Sequence, residues 1–277
     1  MQTHKANWVG SVFAKVAVVA LLIAALAVPF YHSVPSVDTG EEMENLDIPT
    51  RLNNRSLKAS KIPDFGSITD VAAKKKAFFN YLRPAIKRQN DFIRADRLFL
   101  LGVMDKLQQQ RDLNDDELLH LDELAEAYKV DQPVFNEDNL KRLLKRVDVV
   151  PLELVLVQAA NESAWGTSRF ARQGYNFFGI WCYRRGCGFV PSQRNTGADH
   201  EVAKFSSLSH AVQRYLLNIN THRAYRKLRD LRAQMRANGD KPTAEGIAMG
   251  LINYSQRREE YVAELLDMID HNQEYFE

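Results

Sequence analysis

The sequence predicts an α+β chain that is mainly α-helical, with a single small hairpin lobe. Apolar residues recur at helical spacing through 67–148 and again from 149 toward the end. Between Asn176 and Phe205 that period disappears, and Gly179, Gly186, Gly188, Pro191 and Gly197 punctuate short apolar pieces. An unbroken apolar run, Val16 to Phe30, stands apart at the N-terminus.

Four segments follow from these signals: 1–31 as a signal peptide or signal anchor, 32–66 as a linker, 67–148 as a helical region, and 149–277 as the domain that carries the chemistry. Lys5 and Lys15 precede the apolar run, as an export element asks. Ala25-Leu26-Ala27 fits a cleavage site, whereas the tract extended back to Trp8 approaches the ~20 residues of a spanning anchor. Both uses carry the rest of the chain out of the cytoplasm and bring the N-terminal segment to the membrane. Pro35, Pro49, Pro63 and an acidic run from Asp38 to Asp47 mark a tether.

In the helical region, Ile68, Val71, Phe78, Phe79 and Leu82 share a face, and Pro84 is expected to end or restart that helix. Leu98, Leu101, Met104 and Leu107 form the next stripe. Asn114 with Glu117 is a capping box, and Asn136 caps Leu140, Leu143 and Leu144. Pro151 opens a helix with Leu152, Val155, Leu156 and Ala159 on one stripe. After the irregular lobe, Ser206 or Ser207 caps a helix through Leu208, Val212, Tyr215, Leu216 and Ile219; a last helix carries Val262, Leu265, Leu266 and Ile269.

With 45% hydrophobic and 26% charged residues the composition is that of a globular chain, and a mean hydropathy of -0.36 excludes a polytopic membrane protein. A net charge of +2 gives no sign of nucleic-acid binding. Arg169 to Arg236 nevertheless holds 13 Lys or Arg against 3 acids, a local surplus of +10 that suits a polyanionic partner. Arg223, Arg226, Arg229, Arg232 and Arg236 read more simply as a solvated helix face. Cys182 and Cys187, the only cysteines, are expected to form a disulfide at a hairpin tip outside the cytoplasm. Unpaired thiols and a metal site are the alternatives; neither His200 nor His210 has the spacing to complete a zinc site, so no metal is assigned. No His sits in a nucleophile motif and no glycine-rich phosphate loop is present, so no cofactor is expected.

Glu162 lies three residues beyond Ala159 and seven beyond Val155, which extends the apolar stripe of its helix. Desolvation there raises a carboxyl pKa from ~4.3 toward ~6, the range a general acid needs. The plainer alternative is a buried Glu neutralised by Arg169 or Arg172. Trp165, Tyr175, Phe177, Phe178, Trp181 and Tyr183 fall within about twenty residues of it, and flat rings beside an acid suit a sugar face. On a strand, Phe177 and Phe178 point to opposite sides, so at most one lines a cleft.

The stretch Asn161-Glu162-Ser163-Ala164-Trp165-Gly166-Thr167-Ser168, followed by Asn176-Phe177-Phe178-Gly179-Ile180, resembles the signature E-S-x-W-G-x-S … N-x-F-G-I of the bacterial glucosaminidase domain. Phe205-x-x-Leu208-Ser209-x-Ala211-Val212-x-x-Tyr215 resembles the family's helix after the hairpin lobe, and Asn253-Tyr254-Ser255 before Tyr261 its Y-A-[ST]-D … Y segment. With the export element and helical N-terminal half, the whole chain resembles the Bax-type proteins of Gram-negative bacteria. The resemblance implies a lysozyme-like C-terminal fold on the periplasmic side of the inner membrane. It also implies hydrolysis of the β-1,4 bond after N-acetylglucosamine in peptidoglycan. Carried over by position, Glu162 is the general acid and Tyr254 the tyrosine near the reacting sugar; Trp165, Tyr175, Asn176, Phe178 and Trp181, close to that acid in the sequence, are the expected substrate-binding set. The family's second carboxylate falls to Glu201 or Asp199, the only acids between Glu162 and Asp230. A pair about 5 Å apart would mean a retaining route and one about 6.5–9.5 Å apart an inverting one; a substrate acetamido group is a third nucleophile. Trp181-Cys182 stands where the family usually has Lys, and Gln256 where it has an acid, so no role is given to position 256.

Overall fold

The computed structural model describes residues 61–131, 136–191, 200–254 and 257–276. The first α-helix among the described residues, α1 (Val71–Gln108), is long and capped by Asp70, whose carboxylate accepts from the Ala73 amide at 2.7 Å. It runs straight through Pro84, against the expectation of a break. A proline inside a helix costs about 3 kcal/mol. Phe78, Phe79, Leu82 and Ile86, on both sides of it, are fully buried against the rest of the body, and each such side chain is worth about 1.5–3 kcal/mol. Packing therefore holds the helix together. The second expected stripe is also corrected: Leu98 and Leu101 are 69% and 45% exposed, and the buried face is Ile93, Leu100 and Val103.

Helices α2 (Asp115–Ala127) and α3 (Glu137–Arg146) follow. The box at Asn114 is complete in both directions, at 2.9 and 3.0 Å, and Asn136 accepts from the Asp138 amide. Helix α4 (Leu152–Ser163) is apolar nearly all round, with Leu154 through Ala160 buried, which makes it the central helix. It packs against α1 on one side and the C-terminal helices on the other. A short α5 (Arg169–Gly174) leads into the lobe.

The lobe differs from a simple hairpin. Strands β1 (Trp181–Cys182), β2 (Gly188–Phe189) and β3 (Glu201–Ala203) make an antiparallel sheet of order β1-β3-β2, so the two strands nearest in sequence do not pair. β3 lies between them, with Trp181 opposite Val202 and Gly188 opposite Ala203. Gly188 permits this: a Cβ there would lie 2.0 Å from the Val202 carbonyl oxygen. The Cys182–Cys187 disulfide clips the connection between β1 and β2.

Helix α6 (Leu208–Thr221) is capped by Ser207, and α7 (Arg226–Ala237), α8 (Ala244–Ala248) and α9 (Glu259–Asp270) complete the chain. One core takes residues from α1 through α9. The segment read as a tether ends in docked residues: Phe65 is buried edge-on against Phe78 and Tyr81. Among the described residues no helix is long and apolar enough to cross a membrane; the run from Val16 to Phe30 lies outside them.

The basic helix face is corrected in part. Arg229 and Arg232 are buried. Arg232 donates to the Asp148, Val149, Lys145 and Arg146 carbonyls, closing the C-terminus of α3, and Arg229 donates to the Ile219 and His222 carbonyls at the end of α6. Arg236 and Arg97 flank the buried Asp148 carboxylate at 2.9 and 3.6 Å. These guanidiniums are helix caps and core ion pairs, which the sequence count cannot distinguish from surface charge.

Candidate active site

Glu162 sits at the last turn of α4, on the edge of the core where the helical body meets the small sheet lobe. The turn beyond it explains the signature residues. Ala164, Trp165 and Gly166 have positive φ values of 48, 56 and 76°. At Gly166 a Cβ would meet the Phe65 ring at 2.4 Å, so only glycine fits. Ser163 Oγ accepts from the Gly166 amide and Ser168 caps α5, each side chain closing one helix end.

On the lobe side, Asn176 ties the sheet to the helical body. Its Nδ2 donates to the Ile180 and Ala203 carbonyls at 2.8 and 2.9 Å, and its Oδ1 accepts from the Ile180 amide at 3.0 Å. This clasp presents Gly179 to the acid: a Cβ on Gly179, whose φ is +63°, would lie 3.1 Å from Glu162 Oε2. A side chain there would cover the oxygen that faces the lobe.

The Glu162 residue is half-buried, and its carboxyl end is ringed by aromatic side chains. Tyr261 on α9 donates to Oε1 at 3.1 Å. Tyr261 accepts from Gln158 Nε2, and Gln158 Oε1 accepts from the Tyr215 hydroxyl. Tyr254 packs on Tyr261 with ring centroids 5.2 Å apart, is hydrogen-bonded with the Glu162 carboxyl, and reaches the Phe178 carbonyl at 3.4 Å. Burial is the largest influence and pushes the Glu162 carboxyl up to about 7; the Tyr261 and Tyr254 hydrogen bonds oppose the rise and Glu264 adds to it. Among the described residues no arginine partners the acid. Arg169 instead lies over the Phe170 and Phe189 rings. The same burial drives the Tyr215, Tyr254 and Tyr261 phenols well above their usual range, so they stay neutral donors.

A small cleft of about 40 Å³ opens near this cluster. Ile180, Trp181, Ala203 and Phe205 line it from the lobe, Arg214 and Asn218 from α6. Asn218 links it to the acid's surroundings, donating to the Tyr225 hydroxyl at 3.5 Å, and Tyr225 in turn packs on Tyr254.

The expected site residues separate accordingly. Glu162 and Tyr254 come together, and Trp181 lines the groove with His200 edge-on against it. Trp165 is half-buried and packs against Phe78, Phe79 and Lys75 from a left-handed backbone. Phe178 is buried and stacks on Tyr215, and Asn176 is buried as the clasp, so neither offers a surface to a sugar. Tyr175 ends α5 in a left-handed conformation and packs on the core. Glu201 is buried with both oxygens engaged, accepting from the Gly186 and Gly188 amides at 2.9 and 2.8 Å; this carboxylate organises the disulfide loop instead of facing the acid. Asp199 lies outside the described residues. Cys182, Cys187 and Glu201 bring potential metal donors within 4.8 Å of one another, but the two sulfurs are bonded together and the carboxylate serves the two amides.

Gln158, Tyr215 and the working role of Tyr261 escaped the sequence reading. Gln158 precedes Glu162 by four residues and so shares its face, the one local signal available; Tyr215 and Tyr261 read as core aromatics.

A carboxyl about half protonated near neutral pH, set between a helical body and a three-stranded lobe, falls within the part of the chain that known sequences match. The family model described as mannosyl-glycoprotein endo-beta-N-acetylglucosaminidase matches residues 137–274. The chain belongs to this glucosaminidase-domain family, among its Bax-type members. "Protein bax" of Escherichia coli (strain K12) is 34% identical over 226 residues, which cover 80% of this chain and 78% of the relative. No solved structure matches.

Proposed function

We propose that this protein is a glycosidase of the bacterial cell wall, hydrolysing the β-1,4 bond after N-acetylglucosamine in peptidoglycan with Glu162 as general acid. One observation carries the reading: a carboxyl raised to about 7 by burial and held by tyrosine hydroxyls where the helical body meets the lobe. Such a group is protonated often enough near neutrality to give its proton to a leaving glycosidic oxygen. The family description supports cleavage next to N-acetylglucosamine, although it names a mannosyl-glycoprotein. Arg214 in the groove favours the wall polymer, whose stem peptides carry carboxylates that a neutral glycan lacks. Trp181 offers an apolar face for a sugar ring and Tyr254 a phenol near the reacting centre. The apolar N-terminal run would put this domain on the periplasmic side of the inner membrane, anchored or released.

The test is digestion of purified sacculi by the full chain and by Glu162→Gln. Soluble fragments are expected from the parent and none from the variant, with both folded by circular dichroism. Fragments released equally by both would remove Glu162 from the mechanism, and binding to sacculi without release from either would make the protein a wall-binding scaffold.

A further inference from the structure

Three hydrogen bonds run in series beneath the acid, and each has a direction. Tyr215 Oη donates to Gln158 Oε1, Gln158 Nε2 donates to Tyr261 Oη, and Tyr261 Oη donates to Glu162 Oε1. Gln158, Tyr215 and Tyr261 are all buried, so water does not offer them alternative partners. A side-chain amide has an acceptor at one end and donors at the other, whereas a phenol has one proton. Once Tyr215 donates to the amide oxygen, the amide nitrogen faces Tyr261. The Tyr261 oxygen then accepts, and its only proton goes on to the carboxyl.

We propose that Tyr215 and Gln158 are positioning residues for the acid: the relay commits the Tyr261 proton to Oε1 of Glu162 and thereby leaves the transferable proton on Oε2, the oxygen bordered by Gly179. The proposal rests on Glu162 being the general acid. When the O–H bond at Oε2 breaks and its proton passes to the glycosidic oxygen, the electron pair stays on the carboxylate. The growing charge meets a donor already aimed at Oε1, with no reorganisation during the step. Gly179 fits the same assignment, because a side chain at 179 would crowd Oε2 alone. Without the Tyr215 hydroxyl the amide can turn over, Tyr261 can donate to Gln158, and the carboxylate loses its preset partner. The other groups facing Glu162 are Tyr254, Tyr225 and Glu264, from three separate segments, and none of them belongs to the relay.

The experiment is an NMR titration of the Glu162 carboxyl in the full chain labelled with ¹³C-glutamate, the resonance being assigned by its loss in Glu162→Gln. Tyr215→Phe, which removes one oxygen, and Gln158→Leu are compared with the parent. Loss of a donor to a charged group is expected to move the midpoint upward by about one pH unit in each variant. An unchanged midpoint overturns the proposal, and lowered thermal stability with an unchanged midpoint does so equally, by making the two residues structural. Should the variants fail to fold, the parent decides. The Tyr215 and Tyr261 hydroxyl protons must exchange slowly with water and show cross-peaks to the Gln158 amide; rapid exchange refutes the relay. None of these readouts needs turnover, so an inert protein with shifted midpoints would sink the glycosidase reading and leave the relay standing.

Discussion

Glu162→Gln should stabilise the protein, and by an amount that depends on pH. A carboxyl whose pKa is about 7 in the fold and 4.5 in the open chain binds its proton more tightly when folded. Stability is therefore fullest below the unfolded value and is lost as pH rises through the window between the two. A tenfold difference in proton affinity corresponds to about 1.4 kcal/mol, so ionising this group costs the fold about 3 kcal/mol by pH 8. Glutamine keeps an oxygen for the Tyr261 hydroxyl and carries no charge. Urea unfolding of both proteins at pH 4 and pH 8 isolates the effect, because every other titrating group is shared. The difference in unfolding free energy, variant minus parent, should grow by about 3 kcal/mol between the two pH values. A difference that stays constant would mean that the carboxyl is not desolvated, and the argument for an acid held neutral by its surroundings would fail.

Turnover should decline on the alkaline side with a midpoint near 7, as the acid loses its proton, and then fall about tenfold per pH unit; a rate still constant at pH 9 excludes Glu162 as the donor. Gly179→Ala places a methyl 3.1 Å from Oε2 at a left-handed φ and should cut kcat at least about tenfold, with about 1–2 kcal/mol lost in stability; unaltered kcat would show that Oε2 is not the working oxygen. Arg232→Met leaves Asp148 and four carbonyls without their buried partner and should cost about 3–5 kcal/mol in urea unfolding; a loss under about 1 kcal/mol contradicts the capping role. Glu201→Ala strands two amides in the disulfide loop and should cost about 2–3 kcal/mol, measured as a lower Tm; unaltered Tm with abolished turnover would restore Glu201 as the second carboxylate.

Much of this was legible because it is local. The caps at Asn114, Asn136 and Ser207, the stripe of α4 and the position of Glu162 on it all follow from spacings within one or two turns. What escaped depends on partners distant in sequence. Pro84 lies inside α1 because Phe78 and Phe79 before it are covered by Trp165, Phe177 and Phe276, from much later in the chain. Arg232 reads as one more surface cation until the carbonyls at the end of α3 are seen 84 to 87 residues away. Phe178 carries the right chemistry for a sugar platform, but a stacked tyrosine holds it in the core. That Glu201 accepts from two amides of the disulfide loop could not be read from spacing either. Tyr261 lies 99 residues beyond Glu162, so the donor that shapes the acid could not be found from spacing.

The most direct test of the account is the chemical identity of the chain end made from purified sacculi in ¹⁸O-labelled water. Mass spectrometry should find ¹⁸O at new N-acetylglucosamine reducing ends from the parent protein and no new ends from Glu162→Gln. N-acetylmuramic acid reducing ends, anhydro ends without ¹⁸O, or equal yields from the variant would contradict it.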